Sequence, residues 1–80
     1  MGQPQGQMVP RLRAWREYKL LTPTELAAKA GVSLNTVSRL ESAKSRQRAS
    51  LRMIGKLADA LGIERAQLLD ETPPQRRHTH

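Results

Sequence analysis

The stretch PTELAAKAGVSLNTVSRL, from Pro23 to Leu40, decides how this chain folds. Thr22 precedes it as a capping residue, Pro23 stands at a first helical position, and Glu25 follows the cap by three residues. That arrangement is a capping box, and Pro tolerates this position because its missing N–H would have no partner there anyway. Leu26, Ala27 and Ala30 follow at helical spacing, and Gly31 supplies a residue at ease with positive φ, which stops the helix. A second helix opens after Ser33, a good N-cap, with Val37 and Leu40 on one face. Two helices joined by so tight a turn must approach closely, so the crossing point needs a small side chain. Ala27 provides it. Leu26, Ala30, Val32, Val37 and Leu40 then face the rest of the domain. Ser33, Asn35, Thr36, Ser38 and Arg39 fall on the opposite side of the second helix of the pair.

Outward from this pair, apolar spacing predicts three more helices. The first starts near Pro10 and aligns Val9, Leu12, Trp15 and Tyr18 or Lys19. The fourth is capped by Ser50, carries Leu51, Ile54, Leu57, Ala58 and Leu61, and closes at Gly62. The fifth spans Ile63 to Leu69, with Ile63, Leu68 and Leu69 inward. Glu25 and Lys29 have the spacing of a surface ion pair. Residues 44–49, KSRQRA, lack a large apolar anchor and read as a basic loop, and strand-like alternation is not evident anywhere. The expected class is all-α, a compact five-helix domain over residues 9–70. Residues 1–8 and 71–80 read as disordered tails, with too little to bury against the entropy of ordering them.

Composition narrows the function. Eighty residues allow one small domain. Fourteen Lys and Arg against seven Asp and Glu leave a formal charge of +7, and ten of the fourteen are Arg. Arg suits flat, bidentate contacts to phosphates and guanine edges. The absence of Cys excludes a disulfide framework and a Cys-ligated zinc site, and no apolar run reaches the ~20 residues of a membrane span. One Trp, one Tyr and no Phe argue against a platform for stacking single-stranded bases. No nucleophile–base set, Gly-rich phosphate loop or paired carboxylate site stands out, so the expectation is no catalysis and no cofactor. His78 and His80 form an isolated H-x-H pair in a tail, and no metal site is expected there.

At these residues the chain resembles the Xre/Cro family, the helix-turn-helix domains of lambda-type phage repressors and many bacterial regulators. The resemblance runs from about Leu12 to Leu69: LTPTELAAKAGVS matches the second helix and turn, NTVSRLE the recognition helix, and SLRMIGKLADALGI the fourth helix. It implies a lambda-repressor-like bundle that places its third helix in the DNA major groove. It also implies a partly buried ion pair between Arg16 and Glu41, clamping the first helix to the third. The family's base-reading positions fall on Leu34, Asn35 and Arg39, with Ser33 and Thr36 beside them. Arg can hold guanine O6 and N7 bidentately and Asn can pair with adenine N6 and N7, each discriminating by ~1–3 kcal/mol. Leu34 either touches a thymine methyl or packs on the following loop. Phosphate contacts are expected from Ser42, Lys44, Arg46, Arg48 and Arg52, with Thr22 and Thr24 at the N-terminus of the second helix. The plainer account of Lys44 to Arg48 is a solvated loop. Three departures stand out. Pro23 replaces a frequent Gln, Ala43 replaces the Gly that often ends the third helix, and the following loop is about two residues longer.

The resemblance implies a sequence-specific, double-stranded-DNA-binding transcription regulator in the cytoplasm, at the nucleoid. A repressor acting as a homodimer on a palindromic operator is expected, with the fifth helix as the subunit contact. An antitoxin of the same fold, with a toxin protein as partner, is one alternative. A protein-interaction adaptor without base reading is another.

Overall fold

Short-range capping chemistry divides the chain into its elements. The computed structural model describes residues 6–42 and 48–74. Along these run β1 (Gln7–Met8), α1 (Leu12–Tyr18), α2 (Pro23–Ala30), α3 (Leu34–Glu41), β2 (Arg48–Ala49), α4 (Leu51–Leu61) and α5 (Arg65–Asp70). Ser50 Oγ accepts from Met53 N at 3.1 Å and so opens α4. Gly31 and Gly62 close α2 and α4 in the left-handed region, at φ 72° and 71°. At both corners the residue after the glycine donates back into the helix, Val32 N to Ala27 O and Ile63 N to Ala58 O, each at 3.0 Å. These bonds satisfy carbonyls that a helix end otherwise leaves open.

The five helices enclose one core. Val9, Leu12, Trp15, Leu26, Ala27, Ala30, Val37, Leu40, Ile54, Leu57, Ala58, Leu61 and Leu68 are all buried. Each larger aliphatic side chain buried here contributes about 1.5–3 kcal/mol relative to exposure. Trp15 packs edge-on to Tyr18 with ring centroids 5.9 Å apart, and Lys19 lies 5.7 Å from the Tyr18 ring centre. Tyr18 is only half-buried, at the border of the core. The α2–α3 pair lies on this core through the face that the 3.6-residue period marked.

Several local expectations are corrected. The all-α class holds with one small addition that the sequence did not announce: Gln7 pairs with Ala49 and Met8 with Arg48 in a two-stranded antiparallel ladder. That ladder takes Gln7 and Met8 out of the expected tail and Arg48 and Ala49 out of the expected loop. At the other end the packed region runs beyond Asp70. Trp15 Nε1 donates to Glu71 O at 2.9 Å, and Pro73 is buried. An indole N–H facing the core boundary needs an acceptor, and the chain after α5 supplies one. Arg11 Nη1 donates to Leu69 O at 2.8 Å and ties down the same end. Helix α1 begins at Leu12 rather than near Pro10. Leu51, assigned to the apolar stripe of α4, is 58% exposed, although Ile54 in the same turn is fully buried. Glu25 turns its carboxylate to the Thr22 amide instead of pairing with Lys29. Helix α3 stops at Glu41 without a glycine, Ser42 being extended at φ −82° and ψ 122°. The remaining tail residues, 1–5 and 75–80, including His78 and His80, lie outside the described residues. Among the described residues no helix is long and apolar enough to cross a membrane.

Candidate nucleic-acid interface

The turn between α2 and α3 is built from local rules that leave one face of α3 outside the core. At the start of α2, Thr22 Oγ1 accepts from Glu25 N at 3.0 Å while Glu25 Oε1 accepts from Thr22 N at 2.8 Å. The amide and the hydroxyl of Thr22 are thus engaged in the cap, and Thr24 is exposed in the first turn. At the start of α3, Ser33 Oγ accepts from Thr36 N at 3.1 Å and lies 2.8 Å from Thr36 Oγ1. Ser33 and half-buried Thr36 therefore shape the helix end, and their hydroxyls serve each other. Val37 and Leu40 anchor α3 in the core. Leu34, Asn35, Ser38 and Arg39 are exposed, Leu34 at 46%. Ser38 stands one turn after Leu34 on this face, and the mapping of reading positions passed over it. Its position in the helical period was the available signal.

An ion pair holds α3 at its C-terminal end. Arg16 Nε donates to Glu41 Oε2 at 2.6 Å, and Arg16 Nη2 donates to Glu41 Oε1 at 3.0 Å. Each side chain is only 10% exposed. Arg16 Nη1 also donates to Leu21 O at 2.8 Å, a third hydrogen bond and a second partner residue that sequence reading missed. The hydrogen bond to Glu41 raises the Arg16 pKa above its ordinary value, burial opposes this, and the nearby negative charges of Glu41 and Glu17 add to it. A fork-to-fork pair fixes direction as well as distance, so it sets the angle at which α3 leaves α1.

The Leu21 carbonyl is in reach because α1 ends in a tight corner. Leu21 N donates to Arg16 O at 3.1 Å and Leu20 N to Glu17 O at 3.0 Å, with Leu20 at φ 61°. This is the same corner that Gly31 and Gly62 make, closed here by a leucine that is 75% exposed. A left-handed non-glycine residue costs roughly 1–2 kcal/mol. Nothing in the local sequence announces it.

The other expected contact residues border this face in sequence. Ser42 caps the end of α3 and is exposed, as are Arg48 in β2 and Arg52 in the first turn of α4. Arg48 Nη1 donates to Gly6 O at 3.3 Å. Lys44 and Arg46 lie outside the described residues. A helix with its side chains measures about 10–12 Å across, and the B-DNA major groove is about 12 Å wide. Asn35 and Arg39 stand four residues apart, about 6 Å along the axis and close to two base-pair steps of about 3.4 Å. The face carries a bidentate cation, an amide, a hydroxyl and an apolar tip, the groups with which a helix distinguishes base edges.

The fold and this face together define a helix-turn-helix protein with a lambda-repressor-like bundle. A helix-turn-helix family model matches residues 12–68. The chain belongs to this family, in its Xre/Cro-like branch of DNA-binding transcription regulators. No curated protein matches the chain by sequence. Among solved structures, the restriction-modification controller protein C.AhdI from Aeromonas hydrophila is 36% identical, with 76% of this chain and 89% of that one covered at a TM-score of 0.68. SinR, the biofilm regulator of Bacillus subtilis, in complex with DNA is 28% identical, with 80% and 100% covered at 0.71. The DNA-binding domain of the P22 C2 repressor is 25% identical, with 84% and 86% covered at 0.68.

Proposed function

We propose that this protein is a sequence-specific repressor that binds duplex DNA through the exposed face of α3. The observation that carries the reading is that face itself: Leu34, Asn35, Ser38 and Arg39 stand outward on a helix held from behind by Val37, Leu40 and the Arg16–Glu41 pair. Arg39 and Asn35 read base edges, Leu34 meets a thymine methyl, and Ser33 and Thr36 shape the entering helix end. Thr24, Ser42, Arg48 and Arg52, with Thr22, Lys44 and Arg46, border the helix on phosphates. The DNA-bound SinR structure and the C2 repressor domain, similar in fold, support the repressor reading. One domain of this size offers a small interface, so the protein acts as a homodimer on a palindromic operator, its subunits meeting through α5. It works on DNA in the cytoplasm and uses no cofactor.

Selection of bound duplexes from a random pool tests this. A palindromic motif should emerge, and Arg39→Ala and Asn35→Ala should each relax one position of it. If no motif emerges at any salt concentration, base reading is wrong and an adaptor role replaces it. Co-purification of a second small protein from the native source would favour the antitoxin alternative. The identity to C.AhdI favours one narrower reading, a controller of a restriction-modification system. That reading fails if the selected motif is absent upstream of restriction and methyltransferase genes in the source genome.

A further inference from the structure

The ladder between β1 and β2 contributes little to the core, which raises the question of what it does. Gln7 and Met8 are both exposed, and the first buried residue among the described ones is Val9. On the other strand Ala49 is buried while Arg48 points outward. The pairing is possible because residue 6 is glycine. Gly6 has φ +90°, and a Cβ there would lie 2.4 Å from Ala49 O and 2.8 Å from Ala49 C. Both are backbone atoms of β2, so any larger residue would push the strands apart. Gly6 O accepts from Arg48 Nη1 at 3.3 Å, so the same residue that permits the ladder also holds the guanidinium. Strand β2 leads directly into Ser50, the cap of α4, and from there to Arg52.

We infer that Gly6 is a positioning residue for DNA binding: it lets β1 lie against β2 and thereby aims Arg48 at a phosphate. The inference rests on the proposed reading of Arg48 as a phosphate contact. A guanidinium meets a phosphate best as a planar fork, so its direction counts as well as its charge. Gly6 itself touches no DNA. Its effect is independent of sequence, because a phosphate contact positions the protein without reading bases.

The test uses the full chain, the selected duplex and an unrelated duplex of equal length, over a range of salt. Gly6→Ala should weaken binding to both duplexes several-fold and lower the salt slope by about 0.9, the equivalent of one phosphate contact. The ranking of bases in the selected motif should stay the same. Arg48→Ala should give the same signature, and the double variant should bind no more weakly than Arg48→Ala alone. A chain beginning at Gln7, which lacks the Gly6 carbonyl, should match Gly6→Ala and serves if that variant does not fold. An unchanged salt slope in Gly6→Ala or in the shortened chain overturns the inference, as do losses that add in the double variant. If Arg48→Ala itself leaves the slope unchanged, the phosphate reading has failed and takes this inference with it. If Arg48→Ala lowers the slope and Gly6→Ala does not, only this inference fails.

Discussion

Helices α3 and α4 are both amphipathic and both capped by serine, yet they are held in different ways. Helix α4 buries Ile54, Leu57, Ala58 and Leu61, so non-directional apolar burial along its length holds it. Helix α3 buries only Val37 and Leu40 and adds Glu41, whose carboxylate is gripped by Arg16. A helix that must present a polar face has less surface to bury. A directional ion pair at its end restores the orientation that burial alone does not set. The corners differ in the same sense. Helix α4 closes on Gly62 without strain, whereas α1, which carries the clamp, closes on left-handed Leu20.

The contrast can be broken most forcefully at the clamp. Glu41→Ala should cost about 3–5 kcal/mol, because it leaves the Arg16 charge buried and unpaired. Denaturant unfolding measures this, and a midpoint equal to wild type would mean that α3 is held by burial, as α4 is. Replacing both partners, Arg16→Met with Glu41→Leu, should recover most of the stability yet still bind the selected duplex less well. Recovery of both would reduce the pair to packing. In α4, Leu57→Ala should cost about 3 kcal/mol through its cavity, within a usual range of 2–5. Binding measured well below the unfolding temperature should hardly change, and a large loss there would erase the division between the two helices. On the exposed face, Arg39→Ala should remove about 1–3 kcal/mol of discrimination at one base pair while leaving the thermal midpoint in place. The smallest effect is expected at the strained corner. Leu20→Gly should stabilise by about 0.5–1 kcal/mol, relief of the left-handed strain exceeding the added chain entropy of glycine. A lower midpoint would show that Leu20 makes a contact worth more than its strain.

What could be read in advance follows the range of the interactions. The capping box of Thr22 and Glu25, the stops at Gly31 and Gly62, and the caps at Ser33 and Ser50 each involve residues within five positions of one another. Such signals survive in a linear chain. The buried sets of α2 and α3 were also legible, because Leu26, Ala27, Ala30, Val37 and Leu40 keep a helical period. The ladder was not, because each strand has two residues and the partners lie about forty positions apart. Two residues cannot display a period, and Gly6 looks like any tail glycine until Ala49 is beside it. The packing of Glu71 and Pro73 was missed for a related reason. A Pro-rich segment without aliphatic residues looks unable to fold, yet Trp15 needed an acceptor and found it there.

By itself, then, the sequence determined the helices, their capped ends and the apolar face of each, along with the polar face that α3 would turn outward. All of these depend on the backbone period and on bonds that close within a turn or two. Only the tertiary structure decided how that face is aimed. The fork geometry of the Arg16–Glu41 pair, which the resemblance implied only as a pair, and the hydrogen bond from Arg48 to Gly6 exist because distant segments meet. Their energies depend on direction and on exclusion of water, and neither property is written in residue order.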